Sequence, residues 1–202
     1  MSVQDFLKKI NRKNQKFQCF VCDDDGEALN LTVAISNQLN PPAAESDLLK
    51  IKSLIPNGNE EIVDFYKIHN GISLFCNKET KGIELFSIDD LERQNEGWKD
   101  WTFGMVEDED ELYDFEKYGV AFGEISQSGN YFILYEGKVF YFDHDGGGED
   151  IIGESFNDFL LKIVENPPGF LRDMGCYTRY EDDAPNPEWR QWIPKVFVFD
   201  EE

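Results

Sequence analysis

The sequence predicts an α+β domain in which helices pack around an antiparallel sheet of short strands. Three observations predict it. Three short runs rich in β-branched and aromatic residues, Val120–Ile125, Tyr131–Tyr135 and Lys138–Phe142, follow one another closely. Ser128-Gly129-Asn130 and Glu136-Gly137 stand between them and read as tight turns, so neighbouring strands run antiparallel. Segments with helical apolar spacing lie before and after this block instead of alternating with each strand, the order expected of segregated layers.

The remaining elements follow in order. Residues 3–16 read as a short helix with Phe6, Leu7 and Ile10 apolar. Residues 17–35 read as a hairpin: Phe17 to Cys22, an Asp23-Asp24-Asp25-Gly26 turn, then Leu29 to Ile35 alternating apolar and polar. Asn40-Pro41-Pro42 breaks the chain. Residues 45–55 predict a helix with Leu48, Leu49, Ile51 and Leu54 inward, stopped by Pro56-Asn57-Gly58-Asn59. The next helix starts near Glu60 and places Ile62, Phe65, Tyr66 and His69 on one face. Lys67 and His69 would fall in its last turn, where positive charge suits the helix dipole, and Asn70-Gly71 would end it, glycine readily taking the left-handed conformation.

Strands are expected at 73–76 and 83–87, then a helix over 89–101 with Ser87 as its cap. Residues 107–116 hold seven acids and no base and read as a solvated stretch. Residues 143–150 form a glycine-rich acidic loop. Ser155 caps a last helix with Phe156, Phe159, Leu160 and Ile163 on one face, ended by Pro167-Pro168-Gly169. In the tail from Phe170, Trp189 and Trp192 are three apart, as on one helical face, and Val196-Phe197-Val198-Phe199 reads as an edge strand that folds back onto the domain. The organisation is therefore an N-terminal addition (1–40), a core (41–166) and a tail packed on the core (167–202).

A chain of 202 residues buries roughly 70% of its unfolded surface and needs neither disulfide nor metal to hold a core. Cys19, Cys22, Cys76 and Cys176 are few and irregularly spaced, and read as reduced thiols. No apolar run reaches the length of a membrane span and no signal-peptide core is evident, so a cytoplasmic monomer is expected. The 41 acidic and 19 basic side chains give a formal charge of −22. Residues 1–16 hold five of the bases and one of the acids, leaving 40 acids against 14 bases elsewhere. Such a surface repels nucleic acid and anionic lipid and draws in basic proteins.

Four signatures occur in order: the helix ending Phe65-Tyr66-Lys67-Ile68-His69-Asn70-Gly71; the segment Gly82-Ile83-Glu84-Leu85-Phe86-Ser87-Ile88-Asp89-Asp90-Leu91; the hairpins from Tyr118 to Asp145; and the closing helix Ser155 to Ile163. Together they resemble the SUKH superfamily, which groups bacterial immunity proteins with fungal cell-wall regulators (Smi/Knr-like) and viral relatives. The resemblance spans about residues 45–165. It implies a SUKH-like α+β fold without a catalytic centre, and a protein that binds and neutralises a cognate toxin domain, often a nuclease or deaminase. The chain departs from the family's pattern after Phe142, where Asp143-His144-Asp145 and three glycines replace the usual aromatic or small polar residues.

Each candidate for chemistry has a structural competitor. His69 and His144 are the histidines available as general bases, yet a base also needs a nucleophile and an orienting partner, and no Gly-x-Ser-x-Gly, Walker or dinucleotide motif occurs. Cys19 and Cys22 have metal-ligand spacing but lie in a predicted strand, where they would face opposite sides. Counted from Asp143, positions 1, 3, 6 and 12 are Asp143, Asp145, Gly148 and Glu154, as a calcium loop needs; Gly147 at position 5 and a preceding strand argue for a plain acidic loop. No cofactor or metal is expected. The reading is a non-catalytic immunity protein against a basic nuclease, with a regulatory scaffold and a calcium-binding or hydrolytic protein as alternatives. Its partner-binding residues are Glu107, Asp108, Glu109, Asp110, Glu111, Asp143, Asp145, Glu149 and Asp150, with Trp98, Trp101 and Phe103 as possible aromatic anchors or core.

Overall fold

Every strand residue between Val120 and Phe142 is buried or half-buried, whichever way it points, so the central sheet is covered on both faces. The computed structural model describes residues 3–11, 15–22, 28–55, 59–77, 81–126, 128–144, 148–173, 178–181 and 188–198. Within them the chain opens with α1 (Val3–Ile10), β1 (Lys16–Cys22), β2 (Ala28–Ala34) and β3 (Ser36–Leu39). The helices α2 (Glu45–Leu54) and α3 (Glu60–Tyr66) precede β4 (Ile72–Cys76) and β5 (Ile83–Leu85). Next come α4 (Ile88–Gly104), a 3-10 turn at Glu109–Glu111 and α5 (Asp114–Tyr118). The meander β6 (Val120–Ile125), β7 (Tyr131–Tyr135), β8 (Lys138–Phe142) and β9 (Asp150–Gly153) follows. The chain finishes with α6 (Phe156–Glu165), α7 (Pro167–Asp173), β10 (Thr178–Glu181) and β11 (Glu188–Val198).

Strands β3 to β9 lie side by side in sequence order in one sheet whose paired neighbours are all antiparallel. Helices α1, α3 and α6 pack on one another and bury one face of it; α4 and α5 bury the other, α4 on β6 and α5 on β7. On the first face Phe122 and Phe132 meet Phe159 with ring centroids 5.5 and 4.9 Å apart, and Phe65 meets Phe156 at 5.6 Å. On the second, Phe115 stacks on Phe140 at 4.8 Å and Trp98 meets Phe142 edge-on at 5.9 Å. Alternate residues of β7 and β8 thus feed two separate aromatic cores.

The family-bearing junction works differently from its sequence reading. Helix α3 ends at Tyr66, so Lys67 and His69 lie beyond its last turn rather than in it. Pro41 and Asn40 explain why: the Pro41 carbonyl accepts from the Asn70 N–H (2.7 Å), and His69 Nδ1 donates to the Asn40 carbonyl (2.7 Å), pinning the segment to the incoming chain. Asn70 Oδ1 accepts from the Ile88 N–H (2.8 Å) and so joins Ser87 in capping α4. Gly71 is left-handed (φ +85°), as its residue type suggests, and a β carbon there would lie 2.8 Å from both Leu85 O and Ser87 N.

Other differences have equally local causes. Helix α1 stops at Ile10, whose carbonyl accepts from the side-chain amides of Gln15 (2.6 Å) and Asn37 (2.7 Å), and the chain then enters β1. The acidic stretch carries buried Leu112, Phe115 and Glu116, because α5 needs an apolar face over β7. The 143–150 loop ends in β9, which extends the sheet beside β8. Pro167 follows the end of α6 but opens α7, a position where its missing N–H costs nothing. Trp189 and Trp192 belong to strand β11, and β11 is not an edge: the second sheet runs β10-β11-β1-β2. The Asp23 to Gly26 turn, Cys176 and Phe199 lie outside the described residues. Phe75, missed as a special position, has φ +56°, with its N–H on Asn37 Oδ1 (2.9 Å) and its ring 5.6 Å from that of Phe17 in β1.

Gly71→Ala should therefore lower stability by about 2–4 kcal/mol in urea unfolding, combining the left-handed penalty with overpacking. Gly97→Ala, in mid-α4 with nothing within 4 Å of a new methyl, should raise it by about 0.5–1 kcal/mol.

Candidate partner-binding surface

The run Glu107 to Glu111 is exposed throughout. Asp108 accepts from the Asp110 N–H (3.0 Å) and so caps the 3-10 turn. Among the described residues none of the five forms an ion pair. Some acids elsewhere are matched locally: Asp64 by Lys67 (2.7 Å), Asp90 by Arg93 (2.7 Å) and Asp158 by Lys162 (2.9 Å). Exposed apolar side chains flank the run, Trp101 and Met105 before it and Tyr113 after it. Trp98, by contrast, is core, 1% exposed, and Phe103 is half-buried.

Trp101 ties the two acidic stretches together. It lies six residues before Glu107, and its ring meets Phe142 (5.6 Å) and His144 (6.3 Å) edge-on. Asp143 is half-buried and held by other groups; Glu149 and Asp150 are exposed, and Asp150 begins β9 opposite Tyr141. Asp145 lies outside the described residues.

His144 is oriented by Asn130. Its backbone N–H donates to the Asn130 side chain (3.1 Å), so the accepting atom is Oδ1; the ring Nδ1, 2.7 Å from the same oxygen, must then also donate. Asn130 Nδ2 in turn donates to the Tyr141 hydroxyl (2.6 Å). Ser128 Oγ donates to the Ile125 carbonyl and accepts from the Asn130 N–H, so it serves the turn. Glu154, the last position of the calcium pattern, pairs with Lys138 (3.6 Å). Among the described residues no group of three His, Cys, Asp or Glu is placed to hold a metal ion, and Cys76 is a buried free thiol.

One group escaped the sequence reading. Glu84 and Glu124 stand opposite each other on β5 and β6, on the sheet face covered by α4. Glu84 is paired with Lys81 (2.8 Å), and Glu124 has no ion pair among the described residues. Burial first, and then the Glu84 charge, push Glu124 up from an ordinary 4.5 to about 7, while Lys81 and Arg93 oppose the rise. The only signal in the sequence was a glutamate in an otherwise apolar strand.

A carboxyl raised in the folded state is protonated there while already ionised in the unfolded chain. Its contribution is complete below about pH 4.5 and is lost as pH rises through 7. Wild type should lose about 1–2 kcal/mol relative to Glu124→Gln between pH 5 and 8, once the shift is discounted for solvent screening. Urea midpoints of both proteins across that range measure the difference, and parallel curves would refute it.

Compared by sequence, no curated protein matches the chain. The pattern of the SMI1 / KNR4 family (SUKH-1) matches residues 42–162. The match runs from just before α2 into α6 and takes in the Asn70-Gly71 junction, the whole β4–β9 meander and both acidic stretches. Covering more than half of the sequence, it shows that the chain belongs to the SMI1/KNR4 family (SUKH-1).

Proposed function

We propose that this chain is a non-catalytic, cytoplasmic immunity protein that binds and neutralises a cognate toxin domain, a nuclease with a basic active-site face. Residues 41–166 act as the binding core in this reading, and the N-terminal addition and tail as its buttress. The observation that carries it is the exposed run Glu107 to Glu111, free of ion pairs among the described residues and adjoining the exposed indole of Trp101. Acidic side chains placed there would occupy the groups with which a nuclease grips phosphates. Five like charges also steer a basic partner during approach, which acts on association more than on dissociation. Trp101 would supply the apolar anchor, aromatic residues being the commonest hot spots of protein interfaces. Glu149 and Asp150, with Asp143 beside His144, would extend the acidic rim on the other side of Trp101, and Asp145 would be a further contact by sequence alone. Both histidines are bonded to amide or carbonyl oxygens, a use that favours structure over acid–base chemistry.

Co-expression with the toxin domain encoded beside it should rescue growth and give a salt-sensitive complex; undiminished killing with no complex would sink the proposal. In stopped-flow mixing, the triple variant Glu107→Lys, Asp110→Lys, Glu111→Lys should lower the on-rate by about tenfold or more at low salt, with little change in off-rate. Trp101→Ala should instead raise the off-rate by about 10- to 30-fold.

A further inference from the structure

A groove of about 850 Å³ opens at the end of the sheet opposite His144, beside the β7–β8 turn. Its floor is apolar, with Val120 and Leu134, and its rim carries Glu60, Glu61, Glu136, Tyr118 and Tyr135. Tyr118 is 65% exposed, although it is a large aromatic side chain. None of the described residues lining the groove is basic. The hairpin's own lysine, Lys138, is paired with Glu154 (3.6 Å).

The same groove disfavours an anion, even though two helices begin at its wall. The Glu61 N–H of α3 already donates to Asn59 Oδ1 (3.1 Å). On α6, the Asp158 N–H donates to Ser155 Oγ (3.2 Å) and the Asn157 N–H to Glu61 Oε2 (2.9 Å). These amides are spent on caps, and one of the caps is itself a carboxylate on the rim. Carboxylates set around phenol faces over an apolar floor suit a planar cation on an aliphatic stem, which stacks and hydrogen-bonds at once. The volume lies within the range of small-ligand sites and admits one such side chain with its flanking backbone.

We propose that this groove is a binding site for an arginine side chain on an extended peptide segment. The guanidinium sits among Glu60, Glu61 and Glu136, stacked on Tyr118 or Tyr135, with its methylene stem on Val120 and Leu134. The site uses none of the residues of the Trp101 face and does not depend on the toxin reading. The Glu136-Gly137 turn (φ +47° and +79°) sets the backbone from which the Glu136 and Tyr135 side chains enter the groove.

The test is an amide-detected NMR titration of the whole protein with Ac-Ala-Arg-Ala-NH2 and with the same peptide carrying citrulline, which keeps the shape and removes the charge. The arginine peptide should shift the amides of Tyr135, Glu136 and Gly137 in a saturable way, and the citrulline peptide should bind at least about tenfold more weakly. Tyr118→Ala and Glu136→Gln, both at exposed positions, should each weaken binding about three- to tenfold with the rest of the spectrum unchanged. No shift at these amides, equal binding of the citrulline peptide, or wild-type affinity in both variants would overturn the assignment. Each result is obtained without the toxin, so the failure of one proposal leaves the other standing.

Discussion

The closeness of the Gly71 backbone to the β5–α4 corner is the constraint on which the rest of the fold depends. At that point Leu85 O and Ser87 N come within 2.8 Å of where a β carbon would stand. The preceding residue, Asn70, bonds forwards to the first amide of α4 and backwards, through its own N–H and carbonyl, to Pro41 and Asn40. Three segments far apart in sequence, 40–41, 70–71 and 85–88, are thereby fixed at one corner. Tyr66 adds to it, its buried hydroxyl donating to the Phe86 carbonyl at 2.8 Å. With the corner fixed, α3 is directed onto one face of the sheet and α4 onto the other, which gives β6, β7 and β8 their two aromatic cores.

That two-sidedness explains what was legible in the sequence and what was not. The three meander strands and the Glu136-Gly137 turn could be read directly, because β-branched and aromatic runs broken by a positive-φ turn have few other solutions. The closing helix was legible for the same reason, with Phe156, Phe159, Leu160 and Ile163 on one stripe and Ser155 at its start. Helix α5 was hidden inside an acidic stretch: only Leu112, Phe115 and Glu116 turn inward, too few to give a period. Strands β3 and β9 are four residues each, and their partners β4 and β8 decide their state more than their own composition does. In the tail only the helical face and the edge position were misread, because a spacing of three between tryptophans fits one helical face as readily as an irregular strand, and the partner β1 lies nearly the whole chain away.

The candidate surface was legible as charge but not as shape. The composition of residues 107–116 marked the acidic run, yet nothing in the order of residues placed Trp101 against Phe142 and His144, because that contact is made between α4 and the face of β8, about forty residues later in the chain. The Glu84–Glu124 pair was invisible for the same reason: the residues are forty apart, and only the β5–β6 register sets them face to face. Two carboxylates opposed beneath a helix destabilise the folded state at neutral pH, an arrangement that stability alone would not select. The acidic groove at the hairpin end likewise combines residues from α3, α5 and the β7–β8 turn.

The proposed docking of a basic partner falls on the Trp101 face. Hydrogen exchange of the protein, alone and bound to the cognate toxin domain, tests it most directly. Docking there should slow exchange from the last turn of α4 to Tyr113 and in the segment from His144 to β9, with little change in the β10-β11-β1-β2 sheet. Protection confined to that second sheet, with the amides from Trp101 to Tyr113 unchanged, would contradict it.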